Sequence, residues 1–336
     1  MRAALFQGAG KPLVIDDAPA PALAGDAVIL EVAYCGICGS DLHVTETGYL
    51  TPGAILGHEF AGSVVETPPN GPAIGTRATA LPYRACMQCE ECAEGAFAHC
   101  AQLTFVGIGL PGAFAEYVAV PQHFIQTLPA GVGFELGALV EPLAVAHHAV
   151  ELAGSIRGAD ILILGGGPIG AAVTLFAAMK GARHIMVSEP TAGRRALCQQ
   201  LGATVSLDPT NEAIGERFAA LAGRSPDVVF ECTGITGLLK QAIDLVRHRG
   251  RVVIAGVVFG EDRFLPMTAI SKEVTLRFSS AYTVSDFAAV IEAIEHRNIA
   301  PEPMLTDRIP LEALPPVFEA LRKPSKQCKV LVDLKM

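Results

Sequence analysis

The stretch Ile161-Leu162-Ile163-Leu164-Gly165-Gly166-Gly167-Pro168-Ile169-Gly170 carries an apolar strand straight into a glycine turn. It fits G-x-G-x-x-G, with glycines at 165, 167 and 170. The first glycine permits the tight turn, the second lets the backbone approach a pyrophosphate, and the third lets helix and strand pack closely. Pro168 and Ile169 open the helical run that follows, and its free N–H groups and positive dipole end suit phosphates. A second apolar run, His184-Ile185-Met186-Val187-Ser188, ends in Glu189, 19 residues after Gly170. An acid there can accept hydrogen bonds from both hydroxyls of an adenine ribose. The hexapeptide alone is weak evidence, because any glycine-rich strand-to-helix turn matches it. Strand, turn, helix, strand and acid together point to dinucleotide binding.

Further along, apolar strands at 227–231 and 251–257 alternate with helical stretches at 168–180, 192–201 and 236–247. That alternation implies crossover units and a doubly wound parallel sheet, an α/β fold. Residues 274–278 supply a last strand, and 285–297 reads as an amphipathic helix. The first 145 residues differ: short alternating runs such as Ala27-Val28-Ile29-Leu30-Glu31-Val32, bounded by Gly and Pro, predict an irregular β domain. The strand-like tail, Lys329 to Leu334, is expected to return to that first domain.

Residues 161–179 contain no charge over 19 positions, long enough for a bilayer span. Their Gly165-Gly166-Gly167-Pro168 centre would leave backbone groups unpaired in lipid, so a buried strand, turn and helix is the better reading. No membrane association is expected. The 25 Lys+Arg against 34 Asp+Glu, with no basic cluster, argue against a nucleic-acid partner. The first residues, Met1-Arg2-Ala3-Ala4-Leu5-Phe6-Gln7-Gly8, lack the apolar core of a signal peptide, so a cytoplasmic location is expected.

Nine cysteines in a reducing compartment suggest metal before disulfides. Cys86, Cys89, Cys92 and Cys100 follow C-x2-C-x2-C-x7-C, which can close a tetrahedral shell around a structural zinc. A ferredoxin-type cluster run has a last gap of three and then Pro; here the gap is seven and Ala101 follows. Cys198, Cys232 and Cys328 read as small buried apolar residues. Cys35-Gly36-Ile37-Cys38-Gly39-Ser40-Asp41-Leu42-His43 precedes Gly57-His58-Glu59. One sulfur, one imidazole and nearby carboxylates suit a zinc with an open position, but spacing alone leaves this ambiguous.

The combination resembles the zinc-containing medium-chain alcohol and polyol dehydrogenases, in motifs from residue 35 to about 260. It looks closest to the sorbitol, butanediol and threonine dehydrogenase branch, because Val140-Glu141-Pro142-Leu143-Ala144-Val145-Ala146-His147-His148 is similar to that branch's Glu-Pro segment. The resemblance implies a GroES-like β domain from residues 1–145 and 282–336, with a Rossmann domain at 146–281. It implies two Zn2+ per chain. Cys38, not Cys35, and His58 would hold the catalytic zinc, with Glu59 or Glu141 as the carboxylate ligand; the four-cysteine lobe would hold the other. Asp41 matches an acid that orients the histidine, Ser40 the hydroxyl that takes the substrate proton, and His43 a relay residue further out. Gly165, Gly167, Pro168, Ile169, Gly170, Glu189 and Arg194 match the cofactor site.

Such an enzyme moves a hydride between a secondary alcohol, vicinal diol or polyol, or a ketone in reverse, and a nicotinamide cofactor. Glu189 favours NAD over NADP, although Arg194 and Arg195 could offset a 2′-phosphate. A homodimer or homotetramer is expected from the resemblance. Alcohol-specific members often use cysteine as third catalytic ligand, so Glu141 weakens a primary-alcohol reading. His123, His147, His148, His184 and His248 have no role in the resemblance and read as structural or surface groups. Tyr49 and Phe114 suggest substrate contacts by location alone, and each reads better as a packing residue. Two other classes share the fold: a zinc-free reductase of activated double bonds, and a non-catalytic dinucleotide sensor.

Overall fold

The computed structural model describes every residue except 259 and 324. Six parallel strands form one sheet in the order 205–207, 184–188, 160–164, 228–231, 251–254, 275–278. Their register pairs Ile161 with both Ile185 and Val228, so the order reverses between the first and fourth strands of this unit. The carboxyl ends of those two strands open a crevice, and the glycine turn lies there. Asp160–Leu164 is buried at every position, as a central strand covered on both faces must be. Ile161, Ile163, Val187 and Phe230 pack beneath the helices Phe134–Leu152, Pro168–Met179 and Val284–Glu295. Leu162, Met186, Val229 and Val252 face the helices Ile214–Ala222 and Leu238–Leu245. The uncharged run from 161 to 179 is thus a buried strand, turn and helix, and among the described residues no helix is long and apolar enough to cross a membrane.

The other unit is built on a seven-stranded sheet. Its central strand, Ala27–Gly36, pairs with Glu59–Glu66, Tyr117–Pro121 and the tail strand Lys329–Asp333. The tail therefore returns to the first domain, as its strand-like sequence led one to expect. Leu331 opposes Gly36, which carries Lys329 to the end of the central strand where the Cys35–Cys38 segment begins.

Within the parallel-sheet unit three elements escaped the sequence reading: strand Val205–Leu207 and helices Ile214–Ala222 and Pro266–Lys272. More consequential is the 19-residue helix Phe134–Leu152, which begins inside the stretch read as irregular β structure. Gly137 and Pro142 lower its helical propensity, and burial on nearly all sides removes the amphipathic stripe. Gly137 is required there, since a Cβ would meet Leu128 at 2.5 Å and Ala61 at 2.9 Å. The helix packs on strand Glu59–Glu66 and on helices of the parallel-sheet unit, so both units share it.

Candidate active site

Cys38 caps the short helix Gly39–Val44, and its N–H donates to Asp41 Oδ2 at 3.0 Å. The other Asp41 oxygen accepts from Gly57 N–H at 3.4 Å and lies 3.3 Å from His58 Nδ1. One buried carboxylate therefore ties together the two chain segments that present Cys38 and His58. Gly57 must be glycine: its φ is +93°, and a Cβ would strike Phe114 at 2.7 Å and Cys35 Sγ at 2.8 Å. Burial disfavours charge on His58, but Asp41, aided by Cys38, outweighs it and holds the imidazole pKa well above its ordinary value. Nδ1 faces Asp41 and Nε2 faces Ser40, so Nε2 is the nitrogen turned toward a metal.

Cys38, His58 and Glu59 bring one sulfur, one imidazole nitrogen and one carboxylate oxygen within 4.8 Å of one another. This mixed, incomplete donor set fits zinc with a position to spare. Glu59 begins its strand opposite Gly36, where a Cβ would fall 2.1 Å from Glu59 Oε2. Lys329 Nζ donates to both Glu59 oxygens, at 2.6 and 2.7 Å, and to the Ile37 carbonyl at 3.1 Å. Glu141 stands outside the three-residue set. It is buried on the long helix, and Tyr282 O–H donates to its Oε1 at 2.8 Å. Burial raises the Glu141 carboxyl to about 7, with His58 opposing and Glu59 reinforcing the shift. Lys329 and Tyr282 did not emerge from the sequence. A lysine opening the otherwise apolar strand Lys329–Asp333 was the available signal for the first; for the second there was none.

Ser40 Oγ lies 3.4 Å from His58 Nε2 and lines a cleft of about 430 Å³ with Val44, Thr47, Gly48, Tyr49 and Ile108. The cleft walls are largely apolar, apart from Ser40, Thr47 and the Tyr49 phenol. His43 is exposed one turn beyond Ser40, on the same helix. Tyr49 does line the cleft, whereas Phe114 is wholly buried and packs against Gly57.

The sulfurs of Cys86, Cys89, Cys92 and Cys100 lie within 4.8 Å of one another, and all four are free thiols. Backbone N–H groups of Cys86 and Gln102 point at Cys100 Sγ, at 3.2 and 3.4 Å, and lower that thiol's pKa. Four converging sulfurs, one of them met by two backbone N–H groups, fit a closed zinc shell.

In the crevice, Gly165 has φ +96°, and a Cβ on Gly170 would sit 1.8 Å from the Gly165 carbonyl. Gly167 caps the helix opened by Pro168 and Ile169, and a Cβ there would find only Arg194 Nη1, at 3.7 Å. That open flank is the cradle a pyrophosphate needs. Glu189 is buried behind the turn; its two oxygens accept from Gly166 N–H at 2.9 Å and Thr191 N–H at 2.8 Å. The paired arginines separate. Arg195 is tied to the Glu189 and Pro190 carbonyls and to Asp208, whereas Arg194 stays beside the turn with Nε on the Gln327 carbonyl.

His147 and His148 also have an evident task. Their Nδ1 atoms lie 2.8 and 2.9 Å from the two oxygens of Asp286, which caps helix Val284–Glu295 through Thr283.

Residues 24–130 match the alcohol dehydrogenase GroES-like domain, and residues 168–296 match the zinc-binding dehydrogenase domain. The chain is 31% identical over 315 residues to L-galactonate-5-dehydrogenase of Escherichia coli, covering 92% of each. The structure of 2R,3R-butanediol dehydrogenase from Bacillus subtilis superposes with a TM-score of 0.90 at 30% identity, over 99% of both chains. A zinc-binding dehydrogenase from Sinorhizobium meliloti bound to NADP gives 0.91 at 32% identity, over 99% of this chain and 98% of that one. Together with the two domains, the glycine turn and the two cysteine-bearing donor sets, these likenesses show that the chain belongs to the zinc-binding dehydrogenases.

Proposed function

We propose that the protein oxidises a secondary alcohol, vicinal diol or polyol to the ketone, and reduces it in reverse, with NAD as hydride acceptor. The observation that carries this is the donor set of Cys38, His58 and Glu59 beside Ser40, at a cleft, in a chain that also carries a dinucleotide-binding fold. The names of the relatives, a galactonate dehydrogenase and a butanediol dehydrogenase, support the substrate class. Cys38, His58 and a carboxylate, Glu59 or Glu141, would hold the catalytic zinc, and the four-cysteine lobe a structural one. Bound there, zinc supplies Lewis acidity that lowers the pKa of a substrate hydroxyl, and the nicotinamide supplies the hydride acceptor.

The chain's own groups do the remaining work. Asp41 fixes the His58 tautomer and braces the segment bearing Cys38. Ser40 Oγ, beside His58, takes the substrate hydroxyl proton and passes it toward solvent, with His43 further out on the same helix face. The cleft's apolar groups, Val44, Ile108 and the Tyr49 ring, can pack on the carbon skeleton of a substrate. Glu189 accepts from the ribose hydroxyls of NAD. A 2′-phosphate would meet that buried carboxylate, and Arg195 is engaged elsewhere.

A second copy of the chain is the partner that the edge strand Thr275–Phe278 fits. Among the described residues no strand pairs with its outer backbone edge, and Phe278 on it is 66% exposed. Two such edges related by a twofold axis run antiparallel and satisfy each other. Sedimentation of the wild type and Phe278→Asp tests this, the variant being expected to dissociate.

The activity is tested by following reduced cofactor with a panel of secondary alcohols, vicinal diols and polyols, alongside metal analysis. Turnover with none of them, or full activity without zinc, refutes the reading.

A further inference from the structure

We propose that Tyr282 is a positioning residue that holds Glu141 out of the resting metal shell, leaving Glu59 as the carboxylate ligand and one coordination position open for substrate. The inference rests on the zinc reading above and goes beyond it, because two carboxylates compete for one place. Glu59 lies inside the donor set with Cys38 and His58, and Glu141 does not. The difference in position has a visible cause. Glu59 is fixed by a buried cation, Lys329, whereas Glu141 is held by a neutral phenol, the Tyr282 O–H, at 2.8 Å.

That phenol cannot follow Glu141 if the carboxylate swings. The Tyr282 ring stacks on Tyr83, with centroids 5.6 Å apart and planes 20° from parallel, and leans on Phe287. Tyr83 O–H donates to the Tyr282 carbonyl at 3.4 Å. Thr283, the next residue, forms a capping box with Asp286, and His147 and His148 grip the Asp286 carboxylate. These histidines lie on the helix that carries Glu141. Helix and return segment are therefore pinned about two turns away, so the distance from Tyr282 to Glu141 is set by the packing and not by the carboxylate itself.

The consequence is chemical. A shell of four protein ligands is closed and serves structure, while three ligands leave room for a substrate oxygen. Losing the phenol O–H removes the donor described for Glu141 Oε1, and a dication held by Cys38 and His58 would compensate the buried carboxylate. Freed, Glu141 would fill the position kept for substrate.

The test uses zinc-loaded holoenzyme and its cobalt-substituted form, with wild type, Tyr282→Phe, Glu141→Gln and the double variant. Zinc release to a chelator is followed through its fast phase, assigned to the mixed site by its loss in Cys38→Ser. Tyr282→Phe is expected to slow that phase roughly 10-fold, to alter the cobalt d–d spectrum, and to raise KM more than it lowers kcat. The double variant is expected to return release and spectrum to those of wild type, which a packing defect would not do. Glu141→Gln alone should keep its zinc. Wild-type release and spectrum in Tyr282→Phe would overturn the proposal, as would loss of the fast-phase zinc in Glu141→Gln. If wild type itself binds only the four-cysteine zinc, the functional reading fails instead.

Discussion

Lys329 Nζ sits 2.6 and 2.7 Å from the two oxygens of Glu59, and neither side chain reaches water. The residues are 270 positions apart, so the tail strand completes a site begun near residue 38. In the metal-free protein, removing the cation leaves a buried carboxylate unpaired, which costs about 3–5 kcal/mol. Lys329→Met is therefore expected to lower unfolding stability by that order, and Lys329→Arg to recover part of it. Urea denaturation of the three proteins decides the point; equal midpoints would show that the pair contributes nothing.

Two zinc ions per chain with unequal lability are expected, since one shell is closed and the other open. A chelator should remove the ion at Cys38 and His58, with all turnover, before thermal stability changes. Cys100→Ser should instead lower the melting temperature and lose the second ion. Metal analysis of active protein giving one zinc or fewer counts against the two-zinc assignment.

Ser40→Ala should reduce kcat by ~10²–10⁴-fold, the range of a group that moves a proton in the transition state. The dinucleotide Kd should not change, because Ser40 lies at the metal cleft and Glu189 behind the glycine turn. Wild-type turnover in the variant at neutral pH would remove Ser40 from the proton path.

A preference for NAD over NADP in kcat/KM follows from Glu189, whose oxygens face only backbone N–H donors among the hydrogen bonds described. Glu189→Ala should narrow the preference, and Arg195→Ala should scarcely affect it. Steady-state rates with both cofactors provide the check. Equal efficiency with NADP in the wild type would mean that Arg194 outweighs the carboxylate.

Burial pushes the Asp286 carboxyl up, but hydrogen bonds with His147, His148 and Thr283 outweigh it and hold the pKa well below the ordinary value. A depressed folded pKa stabilises the protein above the unfolded value of ~3.9, and this stabilisation is lost as pH falls below it. Asp286→Asn should accordingly be less stable than wild type at neutral pH. The gap should narrow as pH drops from about 5 toward 2. Denaturation curves showing a constant gap would exclude this linkage.

Local chemistry accounts for what was legible in the sequence. The glycine turn at 165–170 reads directly because Gly165 needs a positive φ and Gly170 packs on the Gly165 carbonyl, both within six residues of chain. The four-cysteine lobe reads because C-x2-C-x2-C-x7-C leaves few other uses for four thiols so close together. Strands 160–164 and 184–188 and the helix between them follow from apolar runs and turn residues, which act over short range. The resemblance to a family brought Cys38, His58 and Glu59 forward, where spacing alone was ambiguous. Tertiary structure decided the rest. The helix Phe134–Leu152 carries no amphipathic stripe because both units bury it, so its pattern is visible only once they have packed around it. Arg194 and Arg195 are adjacent and chemically identical; only their neighbours, the Gln327 carbonyl for one and Asp208 for the other, distinguish them. Likewise Glu59 and Glu141 are two acids near one site, and what separates them is Lys329 on the tail strand and Tyr282 on the return segment. A carboxylate's role depends on its desolvation and its partner, and these are fixed by residues more than a hundred positions away.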